Sequence, residues 1–410
     1  MRKHLLMLAL ISAVYFGVFI VPNNQGAQDE QMLLRTGHDE PVIYPILVHM
    51  LTPGKDIHET WWRLIIYGDY HYGYPFYLTS FLTLLPVRLL YGAQFVEHTQ
   101  LNLLLLRQIV SVLPMVFAAG LLTYLQTRFK SAGRTILLFC LLLSIPGVVR
   151  NNIRWWHPDA LAVLAVVLTL FFLDRDRLRF GRNFWLAAAA CGMAVAIKLV
   201  GVYFFLAIAA YLAAGILTKK IGWWKAVLLG CGFTVVMAGI AVGSNPYLFY
   251  PSQRAKFMRI QAEKQVELDR GYTHDDPAAY QKGPGFWQPT LNRWYGEPMI
   301  LFFLSISLLF SCFTYPENFV NRLILAWCLP LSLYLLYFVA PKPDHYWLPV
   351  MLPLFSAATN GLVGSWNIPI YQNRSYLAFA VRAFVFGILL YILARFTIHN
   401  IDLIQSAWTI

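Results

Sequence analysis

Charge is what this sequence has least of. Only 13% of its 410 residues are Asp, Glu, Lys or Arg, where a soluble globular chain carries about 25%. A single soluble core cannot absorb the remaining 58% of hydrophobic residues, because such cores stop growing near about 250–300 residues. Cysteine is scarce as well. Cys140, Cys191, Cys231, Cys312 and Cys328 each lie in or at the edge of an apolar run and form no CxxC pair, which excludes a disulfide frame or a zinc ribbon and leaves small buried residues. Zinc-finger, basic-zipper and RNA-binding patterns are missing, so the net charge of +12 does not point to nucleic acid. The chain shows no clear internal repeat, no low-complexity tract and no appended soluble domain.

What the sequence does hold is a series of twelve apolar runs, many close to the roughly 20 residues that span a bilayer as a helix. The first follows the basic start Met1-Arg2-Lys3. It is long for a signal peptide and no small-x-small cleavage site follows, so it reads as a spanning helix. Three loops are basic: Arg128–Arg134; Asp174–Arg182, with four Arg against two Asp; and Lys219–Lys225. The positive-inside rule places all three, and the N-terminus, in the cytoplasm. That holds only if residues 76–91, a short run containing Pro86 and Arg88, lie along the membrane instead of crossing it. The expectation is an all-α polytopic membrane protein of about eleven spanning helices, N-terminus inside and C-terminus outside. Outer loop 23–100 holds eight acidic and four basic residues, and a second outer loop covers residues 244–297. Loop length spent on one face marks that face as the working one.

Residues able to carry chemistry gather on that face. Asp39 and Glu40 form a carboxylate pair in Gly37-His38-Asp39-Glu40-Pro41. Such a pair serves as a general base or holds a divalent metal at a phosphate, and otherwise is a hydrated acidic loop. Asp29 and Glu30 form a competing pair. In Arg150-Asn-Asn-Ile-Arg154-Trp-Trp-His157-Pro-Asp159, Arg150 and Arg154 suit phosphate oxygens, and Asp159 starts a helix on the same face as Asp39. Capping explains part of His-Pro-Asp. Trp155 and Trp156 fit the interfacial aromatic belt. Lys198 ends an apolar run and is either functional or snorkelling to the interface. Lys342 and His345, in Pro341-Lys-Pro-Asp-His-Tyr-Trp347, reach the same side. Tyr44, Tyr72, Tyr74, His157 and Tyr346 are the expected substrate contacts. Asp39 and Asp159 are the expected ligands if a metal is used.

An Asp39-Glu40 pair follows the first helix, and Gly73-Tyr74-Pro75 leads into a short apolar helix. His157-Pro158-Asp159-Ala160-Leu161 comes next, then an Ala-rich helix ending in Lys198 before Gly201. His345-Tyr-Trp-Leu-Pro-Val-Met-Leu-Pro353 comes last. In this order the motifs resemble the GT-C glycosyltransferase superfamily, in the branch of protein O-mannosyltransferases and lipid A aminoarabinose transferases. The resemblance covers residues 1–200 and 341–355. It implies a single GT-C transmembrane domain over 1–410, with a catalytic module in 1–200 and variable helices in 201–410. It further implies inverting transfer of a sugar from a polyprenyl- or dolichyl-phosphate donor to a hydroxyl of a glycan, lipid or protein. Asp39, with Glu40 beside it, resembles the catalytic aspartate, Asp159 the second-loop acid, and Lys198 a residue near the donor phosphate. The compact chain suggests a prokaryotic plasma membrane with an extracytoplasmic active site. A secondary transporter or lipid-linked-sugar flippase, with Lys198 and Asp159 in its path, is the other class to weigh, and a non-catalytic scaffold the third.

Overall fold

The computed structural model describes residues 2–28, 33–34, 39–272, 280–314, 319–364 and 375–408. Among them there are helices and no strands. Six helical stretches are long and apolar enough to cross a membrane, or eight if each of two sharply bent helix pairs is one span. The chain is an integral multi-pass membrane protein, and the expected count of eleven is not reproduced by length and composition.

After α1 (Arg2–Val18) and α2 (Ile20–Gln25) come two short helices, α3 (Glu40–Leu51) and α4 (Ile57–Ile65). Asp56 caps α4 by accepting from the Glu59 backbone N–H at 2.7 Å, satisfying one of the donors a helix start leaves free. Ile57, Trp61 and Trp62 on α4 are exposed, as an interfacial helix requires. The run at 76–91 forms α5 (Tyr74–Tyr91), and Gly92 (φ +59°) turns the chain out of it. Both ends of α5 stay at one end of the bundle. Gly73 N–H donates to Ile197 at 3.1 Å, and just beyond the turn Gln100 donates to the Asn24 carbonyl at 2.9 Å. The helix is therefore tied to that end through both of its flanks. A Cβ on Gly73 would come within 1.6 Å of the Ala196 carbonyl oxygen, so this approach admits glycine alone.

The chain continues through α6 (Thr99–Leu106), a π-turn at Arg107–Val112 and α7 (Leu113–Thr127), then α8 (Ala132–Ser144) and α9 (Pro146–Asn152). Next comes the hairpin that carries the site: α10 (Asp159–Asp176) and α11 (Arg182–Lys198). At 1.5 Å per residue, 18 residues rise about 27 Å, close to a bilayer's hydrocarbon core. The Asp176 carboxylate closes the hairpin, accepting from Phe180 N (2.8 Å), Gly181 N (2.9 Å) and Tyr211 Oη (2.6 Å). Asp159 and Lys198 are thereby brought level at the other end. The rest comprises α12 (Phe205–Leu217), α13 (Trp223–Gly243), α14 (Pro251–Arg270), α15 (Pro284–Trp294), α16 (Pro298–Thr314), α17 (Phe319–Phe338), α18 (Leu348–Gly364) and α19 (Ser375–Trp408).

Basic loops collect at the hairpin's closed end. Arg128 pairs with Asp174 at 2.6 Å, and Lys220 donates to the Arg177 carbonyl at 3.1 Å. Asp39, Lys198 and His345 lie at the opposite end, as does the junction of α2 and α19, where Arg154 donates to the Pro22 carbonyl at 3.2 Å and to the Ala407 carbonyl. The segment 244–297, expected as a second outer loop, is largely α14 and α15 among its described residues. Residue α14 Leu268 accepts from Ala340 N–H at 2.7 Å, and Gly283 N–H donates to Leu336 at 2.9 Å.

Candidate active site

One chain of contacts organises the site. Lys198, the last residue of α11, pairs with Asp159 Oδ1, at the start of α10. Asp159 Oδ2 takes His157 Nδ1. His157 Nε2 stands 2.7 Å from the Tyr72 hydroxyl oxygen and 3.4 Å from Asp39 Oδ2. The Tyr72 hydroxyl donates to Asp39 Oδ2 at 3.1 Å. Asp159 and His157 are buried, whereas the Asp39 side chain is 44% exposed. Among the described residues these contacts fall on Asp39 Oδ2.

Electrostatics separate the groups. Burial works against ionising Asp39, but the His157 hydrogen bond and charge, with Tyr72 and His345, outweigh it and lower the carboxyl to about 2. Burial, with the Asp39 and Asp159 charges, holds the Tyr72 phenol well above its ordinary range, so it remains a donor. Burial, helped by the Lys198 and His157 charges, pushes His345 well below the ordinary imidazole range.

Three connected cavities meet here. The largest, about 600 Å³, is a mainly apolar groove between α11, α13, α14 and α17. Leu199, Val202 and Val242 line it and are exposed, so it opens sideways toward lipid. Its inner end holds Asp159, Lys198, Lys264 and His345. A second cavity, about 300 Å³, contains Asp39, Arg150 and Asn151. The third, about 260 Å³, joins them, with Asp39, Tyr72, His157, Lys198, Lys264 and Tyr346 on its walls.

Residues 72–277 match the model of glycosyltransferase family 87, half of the sequence. The chain belongs to this family. Family 87 is a GT-C family, and solved GT-C structures share the fold. ArnT from Cupriavidus metallidurans bound to undecaprenyl phosphate is 14% identical with a TM-score of 0.52, covering 98% of this chain and 76% of that one. Oligosaccharyltransferase AglB from Archaeoglobus fulgidus, in complex with an inhibitory peptide and a dolichol-phosphate, is 13% identical with a TM-score of 0.58. It covers 99% of this chain, which spans 56% of AglB's length. No curated protein sequence matches. The family 87 chain is thus a GT-C membrane glycosyltransferase.

Within this family 87 fold the expected site residues divide. Asp39, Tyr72, His157, Asp159, Lys198, His345 and Tyr346 converge, with Lys198 Nζ 5.1 Å from the centre of the Tyr346 ring. Arg150 lines the second cavity. The others are held by contacts outside the three cavities. Glu40 is buried against Arg107, which donates through Nε at 2.9 Å and again through Nη2, and it also accepts from Trp156 N–H at 2.7 Å. With both oxygens engaged it positions α3 and lines none of the cavities. Arg154 is spent on backbone carbonyls. Lys342 donates to Val339 at 2.8 Å and to Ala340, tying down the turn after α17. Tyr44 accepts from Asn102 at 2.8 Å, and Tyr74 is packed against Tyr67. Asp29 and Glu30 lie outside the described residues.

Two residues escaped the sequence reading. Arg107, in Leu103-Leu-Leu-Leu-Arg107, carries the signal of an arginine within an apolar run. Lys264 stands on α14 with Nζ 5.0 Å from the Tyr72 ring centre and 3.3 Å from the His71 carbonyl. Burial and the Lys198 charge lower it to about 8. Its charge-rich surroundings read as a solvated helix and give no signal.

A divalent ion fits this site poorly. His157, Asp159 and His345 offer ligand atoms within 4.8 Å of one another, yet both Asp159 oxygens are already held by Lys198 and His157. An ion would have to displace the ammonium. The expected pairing of Asp39 with Asp159 on one ion meets the His157 ring, which stands between the two carboxylates.

Proposed function

We propose that this family 87 protein moves a sugar from a polyprenyl-phosphate donor to an acceptor hydroxyl, with inversion, on the extracytoplasmic face of a prokaryotic plasma membrane. The observation that carries this reading is the apolar, side-opening groove that ends on Lys198, Lys264 and His345 next to Asp39. A polyprenyl tail suits the groove, and the two ammonium groups suit a phosphate. ArnT holding undecaprenyl phosphate and AglB holding a dolichol-phosphate support the donor class. Three basic loops at the far end support the sidedness.

In this mechanism the acceptor oxygen attacks the anomeric carbon from the side opposite the phosphate. The bond from that carbon to the phosphate oxygen breaks, and its electron pair leaves with the lipid phosphate. The acceptor proton passes to Asp39. A carboxylate as acidic as Asp39 takes the proton late, when the new bond has formed and the hydroxyl has become acidic. Lys198, Lys264 and the buried Asp159–His157 pair are in place before the reaction, so charge on the leaving phosphate is met without reorganisation. Asp159 acts by orienting Lys198 and His157, since neither of its oxygens is free.

Transfer from a panel of radiolabelled polyprenyl-phosphate sugars to membrane extract, in proteoliposomes, tests the reading. Asp39→Asn is expected to lower the rate by about 10²–10⁴-fold, the usual worth of a positioned base, with thermal unfolding unchanged. If Asp29→Asn is the dead variant instead, the base lies elsewhere in the first loop. Wild-type protein that transfers nothing from any donor would sink the glycosyltransfer reading and favour transport.

A further inference from the structure

At the end of the bundle away from the cavities, two basic loops from different helix pairs meet. Arg175, Arg177, Arg179 and Arg182 stand around the turn from α10 to α11, and Lys219, Lys220 and Lys225 around the turn from α12 to α13. All of them are exposed. The only acids in residues 174–182 and 218–225 are Asp174 and Asp176. Asp174 is paired with Arg128 at 2.6 Å. Asp176 is buried and taken up by the Phe180 and Gly181 N–H groups and the Tyr211 hydroxyl. Neither acid neutralises the exposed cations.

The positive-inside rule asks only that each loop be basic. It does not ask that the loops touch, and here they do. Lys220 Nζ donates to the Arg177 carbonyl at 3.1 Å, and Tyr211 of α12 accepts from Leu178 N–H at 2.7 Å. Phe180 and Ile221 close over Gly215, where a Cβ would come within 2.6 Å of the Phe180 ring and 3.1 Å of Ile221. Gathering like charges costs free energy. The backbone adds to that cost. Arg177 (φ 51°) and Lys219 (φ 55°) take the left-handed conformation just past the ends of α10 and α12, a position where glycine is the ordinary choice. A helix C-terminus favours a cation in its own last turn, but it does not explain a cluster shared between two loops. An anion seated on the cluster does.

The surroundings say which anion. Trp223 and Trp224, 67% and 79% exposed, stand between Lys220 and Lys225. Exposed indoles at the start of an apolar helix mark the level of lipid headgroups, and α13 continues behind them as an apolar span of 21 residues. The cations therefore lie where a headgroup lies, with α13 alongside for its acyl chains. Two or three such cations satisfy one phosphate, so a cluster of this size suits a headgroup with two. We infer that the joined loops bind an anionic phospholipid in the leaflet opposite the cavities, preferring a headgroup that carries two phosphates. The inference stands apart from the proposed transfer reaction. Such a lipid clamps the closed end of the α10–α11 hairpin, whose other end presents Asp159 and Lys198.

The test uses delipidated full-length protein in neutral detergent. Cardiolipin, phosphatidylglycerol and phosphatidylcholine are titrated separately, with bound lipid counted by native mass spectrometry and melting temperature followed in parallel. Cardiolipin is expected to bind tightest and phosphatidylcholine weakest, and cardiolipin should raise the melting temperature. The triple variant Arg177→Gln, Arg179→Gln, Lys219→Gln should melt like wild type without lipid, bind cardiolipin weaker by about tenfold or more, and lose the thermal gain. Removing three exposed cations at the cavity end of the molecule (Arg254→Gln, Arg259→Gln, Arg270→Gln on α14) should leave cardiolipin binding unchanged. Wild-type affinity in the first variant, or equal losses in both, overturns the inference. Inorganic pyrophosphate is the remaining arm: if it binds these loops as tightly as cardiolipin, the ligand is a soluble anion and the lipid assignment falls.

Discussion

Neighbouring residues at a helix start point about 100° apart, and here that angle divides one carboxylate pair into two functions. Asp39 precedes the first turn of α3 and faces the cavities, while Glu40 opens the turn and faces Arg107. The sequence shows the pair but not which member faces the bundle, because the answer belongs to Arg107, 67 residues away. Their substitutions should therefore fail in different ways. Glu40→Gln leaves the fully buried Arg107 without its counter-charge, and losing one partner of a buried pair costs about 3–5 kcal/mol. Its melting temperature in detergent is expected to fall well below wild type, whereas Asp39→Asn melts normally. Equal melting curves would remove the structural role from Glu40. Lys264 gives a pH signature. It is a cation below about 8 and neutral above, so its attraction for the donor phosphate is present at low pH and lost as pH rises through 8. Donor KM is expected to climb above that pH, and Lys264→Arg, with a guanidinium that stays charged, should shift the climb upward. A flat donor KM between pH 7 and 9.5 would place Lys264 outside phosphate binding.

At the scale of elements, the apolar runs were enough to read an all-helical membrane chain, but not the number of spans, and enough to read the hairpin that carries Asp159 and Lys198. The hairpin of α10 and α11 explains why. Its two helices are apolar between their charged ends and similar in length, and a turn closed by Asp176 aligns those ends. Residues at those ends, Asp159 and Lys198, must then meet, so His157-Pro158-Asp159 and Lys198 were legible as parts of one site. The α14 helix was not legible, since nothing local in its charge-rich sequence reveals that it packs on Tyr70, His71 and Tyr72. The contact between Gly73 and α11 holds Tyr72 beside Asp39. Gly73→Ala would drive a methyl group into the Ala196 carbonyl, so α5 must shift. Transfer is expected to drop at least tenfold although Gly73 touches no substrate. Wild-type activity in Gly73→Ala would show that Tyr72 is held by other means.

At the scale of the molecule, charge is sorted along the bundle axis. The basic loops with Arg128, Lys220 and Arg177 share one end, and the cavities share the other. The proposed sidedness rests on this arrangement and can be tested in intact cells. In a cysteine-free background, Glu263→Cys on α14 should react with a membrane-impermeant maleimide, and Ser131→Cys beside the basic loop should not. The opposite pattern would turn the enzyme to face the cytoplasm. Helix number was less legible. Bent pairs such as α8 with α9, broken by 62°, and α15 with α16, broken by 94°, contain the hydropathy of one span in two directions, and periodicity alone does not register a bend.

Arg154 has a consequence for how a disturbance spreads. Through one side chain it holds α2, at Pro22, to the end of α19, at Ala407, and it lies three residues before His157, which lines the joining cavity. A change in the seating of α19 therefore bears on the backbone that carries the His157 imidazole, although none of the described residues of α19 lines the three cavities.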